Sequence, residues 1–369
     1  MSEIFLEVNL MNDLAAILIK QYRGLIDLEL NNLNKVNVFV GPNNCGKTSV
    51  LEAISLGIPF NENNGKNLLD VLISRYHGIN FEAFKSIFPL KTKIKDGIGI
   101  CLTLNEAKEE LIGTMITNEE NIGIDKLGRS SNNFSLEFTY TYIKNTVNDR
   151  LQKQDLLTLE LKENENRYSV EWKKQKNNQI ETIIPYSYLS FSRFDIAERL
   201  LENIDILLEK NQRKDLIEAL RIFDDSIENF EVIGKSRIIK LFSAKFDKPL
   251  SLYDYGNGMY KAFFIITAAL LSRNGILLVD EIEAGIHTGA LSRFIAKLLS
   301  VCRINDVQLF MTTHSLEAID TILYDCQNDK CINDIAIYHI KNTEKKTTAR
   351  RYSGEKMMRL RDNVGFDVR

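Results

Sequence analysis

Gly41-Pro42-Asn43-Asn44-Cys45-Gly46-Lys47-Thr48 fits the spacing G-x-x-x-x-G-K-[ST], and each fixed position has a chemical reason. The two glycines let the backbone turn tightly and come close to an anion. Successive N–H groups from Asn43 to Ser49 then converge on phosphate oxygens at the start of the following helix. Lys47 adds a point charge aimed at β- and γ-phosphates, and Thr48 offers a hydroxyl to a bridging Mg²⁺. ATP with Mg²⁺ is therefore the expected ligand pair. Cys45 is read as a small residue filling the turn; the alternative is a thiol activated by Lys47. Far downstream, Gly275-Ile276-Leu277-Leu278-Val279-Asp280-Glu281 is an apolar run closed by two acids. Asp280 is suited to hold Mg²⁺ directly or through its waters, and Glu281 to polarise an attacking water.

These side chains need a framework. Val36 to Val40 reads as a buried strand and Thr48 to Ile58 as a helix with apolar Val50, Leu51 and Ile54, so the glycine turn sits between strand and helix. The continuous apolar run before Asp280 implies a strand covered on both faces of a parallel sheet, with its acids in the crevice at the carboxyl end. Val307 to Thr312 is a further strand, followed by Thr313-His314-Ser315 and a helix over Leu316 to Tyr324. Leu14 to Leu30 alternates as two strands around Gln21-Tyr22-Arg23-Gly24. Strand-like runs recur at Gly99 to Leu104, Phe134 to Ile143, Leu156 to Leu161, Tyr168 to Trp172 and Thr182 to Ser190, which together imply an antiparallel sheet joined to the core. Leu68 to Tyr76 is helical in pattern, and His77 is a loop residue. The period changes over Arg193 to Phe223, where Ile196, Leu200, Leu201, Ile204, Leu207 and Leu208 make the stripe of a helical insertion, about 193–225. Its mixed-charge outer face reads as solvated, with a DNA or partner contact as the alternative. Ile335 to Ile340, Thr347 to Tyr352 and a helix opened by Ser353-Gly354-Glu355 close the chain.

Composition sets bounds rather than identity. At 369 residues and 44% hydrophobic the chain can hold one large or two ordinary domains. A formal charge of −3 leaves any nucleic-acid contact to a local patch. The five scattered cysteines lack C-x-x-C spacing, which argues for a reducing compartment and against a zinc site. Met1 to Asn12 lacks the basic flank and long apolar core of a signal peptide, and Ala262 to Leu271 is too short to span a bilayer. The expectation is a cytoplasmic protein without a membrane contact.

The paired strands with an aromatic-Arg dipeptide, then Asn34-Lys35-Val36-Asn37 and the glycine loop, resemble the N-terminal lobe of ABC-type ATPase heads of the SMC, RecF and OLD superfamily. The resemblance implies an α/β P-loop NTPase of ABC-head type, a mixed-sheet core with an added antiparallel sheet and a helical insertion. The expected division is 1–58, the first part of the ATPase core; 59–245, antiparallel strands and insertion; and 246–369, the second part of the core. In that superfamily an arginine placed like Arg23 can approach the phosphates; the alternative is a surface arginine at a turn. His314 is similar to the switch histidine, which bonds the γ-phosphate or orients the water; the alternative is a capping turn. Gly256-Asn257-Gly258, ahead of an apolar helix over Lys261 to Leu271, stands where the superfamily has its Ser-Gly-Gly signature, so the serine contact does not carry over. His287 falls in the subunit-contact segment.

Such heads pair head to tail around two nucleotides, which implies a homodimer or higher oligomer. The stretch after His314 is too short for a Toprim nuclease, so the chain resembles stand-alone OLD-like ATPases that work beside a separate nuclease or toxin effector, with defence against phage as the implied role. A RecF-like ATPase that clamps DNA is the alternative. A basic segment from Lys341 to Arg361 is either a DNA or acidic-partner contact or a soluble cationic tail.

Overall fold

The computed structural model of the chain describes residues 13–58, 98–104, 109–118, 123–124, 130–131, 133–145, 150–164, 167–175, 184–190, 199–209, 212–235, 237–328, 331–343 and 346–368. The helical reading of Leu68 to Tyr76, His77 and the first turns of the insertion lie outside these residues.

β1 (Leu14–Tyr22) and β2 (Leu25–Asn31) pair antiparallel with Tyr22 opposite Leu25, as the alternation predicts. β3 (Val36–Val40) runs into the glycine loop and α1 (Lys47–Gly57). Next come β4 (Ile98–Leu104), β5 (Glu109–Asn118), the short pair β6 (Gly123–Ile124) and β7 (Ser130–Ser131), β8 (Asn133–Asn145), β9 (Arg150–Asn164) and β10 (Arg167–Gln175). The order β10-β9-β8-β5-β4-β1-β2 makes one antiparallel sheet that includes the opening hairpin.

β11 (Tyr186–Leu189) departs from expectation. Its run was grouped with the antiparallel strands, yet it lies parallel to the strand before Asp280. The reason is local: Pro185 carbonyl accepts from Ile276 N at 2.8 Å, and a Cβ on Gly275 would come within 1.9 Å of that same oxygen, so only glycine admits this approach.

The insertion consists, among the described residues, of a 3-10 turn at Arg199–Asn203, α2 (Ile204–Glu209) and α3 (Arg213–Arg221), with Leu201, Ile204, Leu207, Leu216 and Leu220 buried. β12 (Ile227–Ile233), β13 (Ile238–Ser243) and β14 (Leu250–Ser251) form a small antiparallel sheet absent from the sequence reading. The chain finishes with α4 (Asn257–Leu271), β15 (Ile276–Val279), α5 (Thr288–Ile304), β16 (Gln308–Thr312), α6 (Leu316–Asn328), β17 (Ile335–Asn342), β18 (Thr347–Ser353) and α7 (Gly354–Val364).

The central sheet has the order β11-β15-β16-β3-β17-β18, parallel except for β18. β3, β15 and β16 are buried at every residue because both faces are covered. On one face Phe39 stacks with Phe310 and meets Tyr338 at a tilt beneath α1 and the β1–β2 hairpin. On the other, Val36, Val38 and Val40 meet the apolar sides of α4 to α7. Gln308 ties the layers together: its amide oxygen accepts from Leu14 N, and its amide nitrogen donates to Leu14 and Asn34 carbonyls. The basic segment is no tail. It forms β17, β18 and α7, and Arg361 is held bidentate by Asp320 while Arg351 donates to Asn32 carbonyl. No helix among the described residues is long and apolar enough to cross a membrane.

Candidate nucleotide site

The glycine loop adopts the backbone its sequence requires. Gly41, Asn44 and Gly46 have φ of 141°, 62° and 102°. A Cβ at Gly41 would meet Ile340 carbonyl at 2.5 Å, and one at Gly46 would meet Leu25 Cδ2 at 2.6 Å. Gly46 caps α1 without a side chain, so the first-turn amides of Lys47, Thr48 and Ser49 face the loop's concavity. Asn43 and Asn44 are exposed at its rim, and Ser49 is buried. Lys47 Nζ donates to Gly41 and Pro42 carbonyls at 2.8 and 3.0 Å. Burial lowers its pKa, against the pull of Cys45, Asp280, Glu281 and Glu283. Burial raises the Cys45 thiol above its ordinary range despite neighbouring Lys47, which fits the filler role.

β15 delivers the acids to this loop. Thr48 Oγ1 lies 3.1 and 3.0 Å from the two oxygens of Asp280. Thr312, at the end of β16, donates to Asp280 Oδ1 at 2.6 Å and accepts from Glu281 N at 2.8 Å. A hydroxyl, a carboxylate and a second hydroxyl behind it form a donor set that suits a small hard cation keeping most of its water.

Glu281 turns the chain sharply, with φ of 49°. That left-handed backbone costs a non-glycine residue about 1 kcal/mol, and its surroundings fix it. Glu281 carbonyl accepts from Ala284 N and from Lys261 Nζ, the latter reaching in from α4. Its carboxylate is left 55% exposed, open to water, and His314 Nε2 lies 4.0 Å from Oε1. His314 N donates to Glu283 Oε1 at 2.7 Å. The helix after it is capped by Ser315, whose Oγ accepts from Ala318 N, so the capping reading of this turn falls on Ser315.

The remaining expected residues fall elsewhere. Arg23, with φ of 52°, is only 10% exposed; its Nε lies 3.1 Å from Glu52 Oε2 on α1, and Tyr22 hydroxyl donates to the same oxygen. The surface-arginine alternative is therefore wrong, and Arg23 braces the loop helix. Gly256, exposed with φ of 95°, opens α4, and Gly258 packs against the segment after Glu281, where a Cβ would lie 2.9 Å from Gly285 carbonyl. His287 caps α5, its Nδ1 accepting from Gly289 N.

Sequence reasoning missed Thr312, Glu283, Glu52 and Lys261. Lys261 was the most visible of them, the one cation on an otherwise apolar helix. It is 2% exposed, and burial pushes its pKa down to about 8 against the attraction of Glu283, Glu281 and Asp280.

Fold and site together define a P-loop ATPase. Residues 36–320 match the family AAA_21, described as "AAA domain, putative AbiEii toxin, Type IV TA system", and the chain belongs to that family. It is 23% identical over 358 residues to an "ATP/GTP phosphatase" of Helicobacter pylori, covering 92% of this chain and 95% of that one. Among solved structures it is similar to an SMC head bound to the C-winged helix domain of ScpA, at 11% identity and TM-score 0.47 over 94% of this chain and 99% of that one. It is also similar to the SMC head domain from Thermotoga maritima, at 11% identity and TM-score 0.39 over 92% and 99%.

Proposed function

We propose that the chain is an ATP-hydrolysing, dimerising OLD-like switch that regulates a separate effector, a nuclease or toxin, in defence against phage. The observation that carries the ATPase reading is the Thr48 hydroxyl on both oxygens of Asp280, which joins two distant segments into one pocket beside Lys47. The toxin–antitoxin wording of the family description supports a defence role, and the name of the Helicobacter relative supports nucleoside triphosphate hydrolysis.

In this reading the loop amides from Asn43 to Ser49 and Lys47 hold the β- and γ-phosphates, and Arg23 stiffens α1 beneath them. Thr48 and Asp280 would hold Mg²⁺, which when bound would supply charge neutralisation to the triphosphate. Glu281, half exposed at the strand end, orients and polarises the attacking water; His314 beside it bonds the γ-phosphate. Thr312 keeps Asp280 aimed at Thr48. Gly256 and Gly258 at the start of α4 receive the γ-phosphate held by a second copy, so that ATP cements the dimer and hydrolysis loosens it.

Two variants test this. Lys47→Ala is expected to lose ATP binding. Glu281→Gln is expected to bind ATP as the parent does while phosphate release falls on the order of a hundredfold. ATP binding retained by the first, or unchanged turnover in the second, removes the assignment. Turnover stimulated by DNA with a steep salt dependence would point instead to a direct DNA clamp.

A further inference from the structure

We propose that Lys261 is a positioning residue that couples the glycine turn opening α4 to the general base of the same head. The inference rests on the reading of Glu281 given above and adds how a ligand at the α4 turn is felt there.

Two separate contacts join these segments. Lys261 sits one turn into α4, buried at 2%, and its Nζ donates to the carbonyl of Glu281. Three residues earlier on the same turn, Gly258 is so close to the segment after Glu281 that a Cβ would lie 2.9 Å from Gly285 carbonyl and 3.6 Å from Ile286 Cα. The first turn of α4 and the Glu281–Ile286 turn thus touch at both ends, through the Lys261 side chain at one and backbone against backbone at the other. A shift of one is transmitted to the other because neither has slack to absorb it.

The Glu281 end is the sensitive one. Its peptide is held in the left-handed region by three hydrogen bonds: Thr312 Oγ1 receives its N–H, and Ala284 N and Lys261 Nζ donate to its carbonyl. Thr312 and Ala284 belong to the same strand-end assembly as Glu281. Lys261 alone of the three comes from α4, so it is the contact through which α4 can turn that peptide and aim the carboxylate. Glu283 adds a second thread, since its Oε1 accepts from His314 N while its charge attracts Lys261. A γ-phosphate docked on Gly256 and Gly258 would therefore pull on Glu281 through Lys261, making hydrolysis wait for the second subunit.

The test is a double-mutant cycle in the full chain with MgATP, scored by Kd, KM and kcat. Lys261→Met is expected to leave Kd within about threefold of the parent and to lower kcat at least about tenfold, with Lys261→Arg recovering most of the loss. If Lys261 acts only through Glu281, adding Lys261→Met to Glu281→Gln slows turnover by no more than about twofold further. Should the Met variant fail to fold, Lys261→Gln replaces it, since its shorter amide keeps polarity in the slot yet falls short of the carbonyl. Parent-like kcat in a folded Lys261 variant, multiplicative effects in the double variant, or Arg no better than Met would overturn the proposal while leaving the role of Glu281 intact. Parent-like turnover in Glu281→Gln alone would overturn both.

Discussion

A lysine with almost no access to water must answer for its charge, and Lys261 does so incompletely. Burial outweighs the pull of Glu283, Glu281 and Asp280, and pushes its pKa down to about 8 from 10.5 when exposed. Below the folded value both states are protonated and the cost is fully present, about 3 kcal/mol. Between about 8 and 10.5 the unfolded chain binds the extra proton, so stability rises with pH across that window. Urea unfolding without nucleotide should therefore show the parent gaining about 2 kcal/mol relative to Lys261→Met from about pH 8 to about pH 10. Parallel pH curves for the two proteins would sink the assignment. Such a residue is hard to see in a sequence, because its meaning depends on the tight turn at Glu281. Lys47, Thr48 and Asp280 were legible because the spacing of their motifs is itself the chemistry. Thr312 and Glu283 were not, since a strand-end hydroxyl and an acid two residues past another have many ordinary uses.

At the scale of elements, the strands legible from sequence were those with a single possible environment. β15 is apolar throughout and β3 and β16 are mostly apolar, all three buried at every residue, and they took their places in a parallel sheet; β1 and β2 alternate and made a hairpin. β11 alternates as well, with every second residue buried, so its pattern matches an antiparallel strand even though it sits at the edge of the parallel sheet. What places it there is Gly275, whose missing side chain lets Pro185 carbonyl approach. Gly275→Ala should force β11 away from β15, with a loss of about 3 kcal/mol in stability. Because β15 carries Asp280 and Glu281, turnover should fall with it. Gly256→Ala is the control: it is strained only by φ of 95°, has nothing within 4 Å of the new Cβ, and should cost about 1 kcal/mol. Thermal unfolding of the two variants separates a steric requirement from a backbone one; equal losses would mean the close approach at Gly275 relaxes freely.

The whole molecule presents the two half-sites of the proposed dimer differently. The loop before α1 carries Lys47 in a nearly closed slot, whereas Gly256 at the start of α4 is open on its outer side. If each nucleotide is completed by the α4 turn of a second copy, defects in the two half-sites lie on different chains and can be complemented. Lys47→Ala removes the phosphate-binding lysine, and Gly256→Glu sets a carboxylate where the γ-phosphate would dock. Each variant alone should be inactive. In a mixed dimer one composite site joins both defects, and the other joins an intact loop to an intact turn. Only mixed dimers hold a composite site that ATP can cement, and each has one working site of two, so an equal mixture should recover turnover up to about half of the parental value. The recovery should depend on total protein concentration, because it requires association. A mixture as inactive as its components, at concentrations where the parent dimerises with ATP, would mean that each head completes its own site and that the α4 turn serves only the fold.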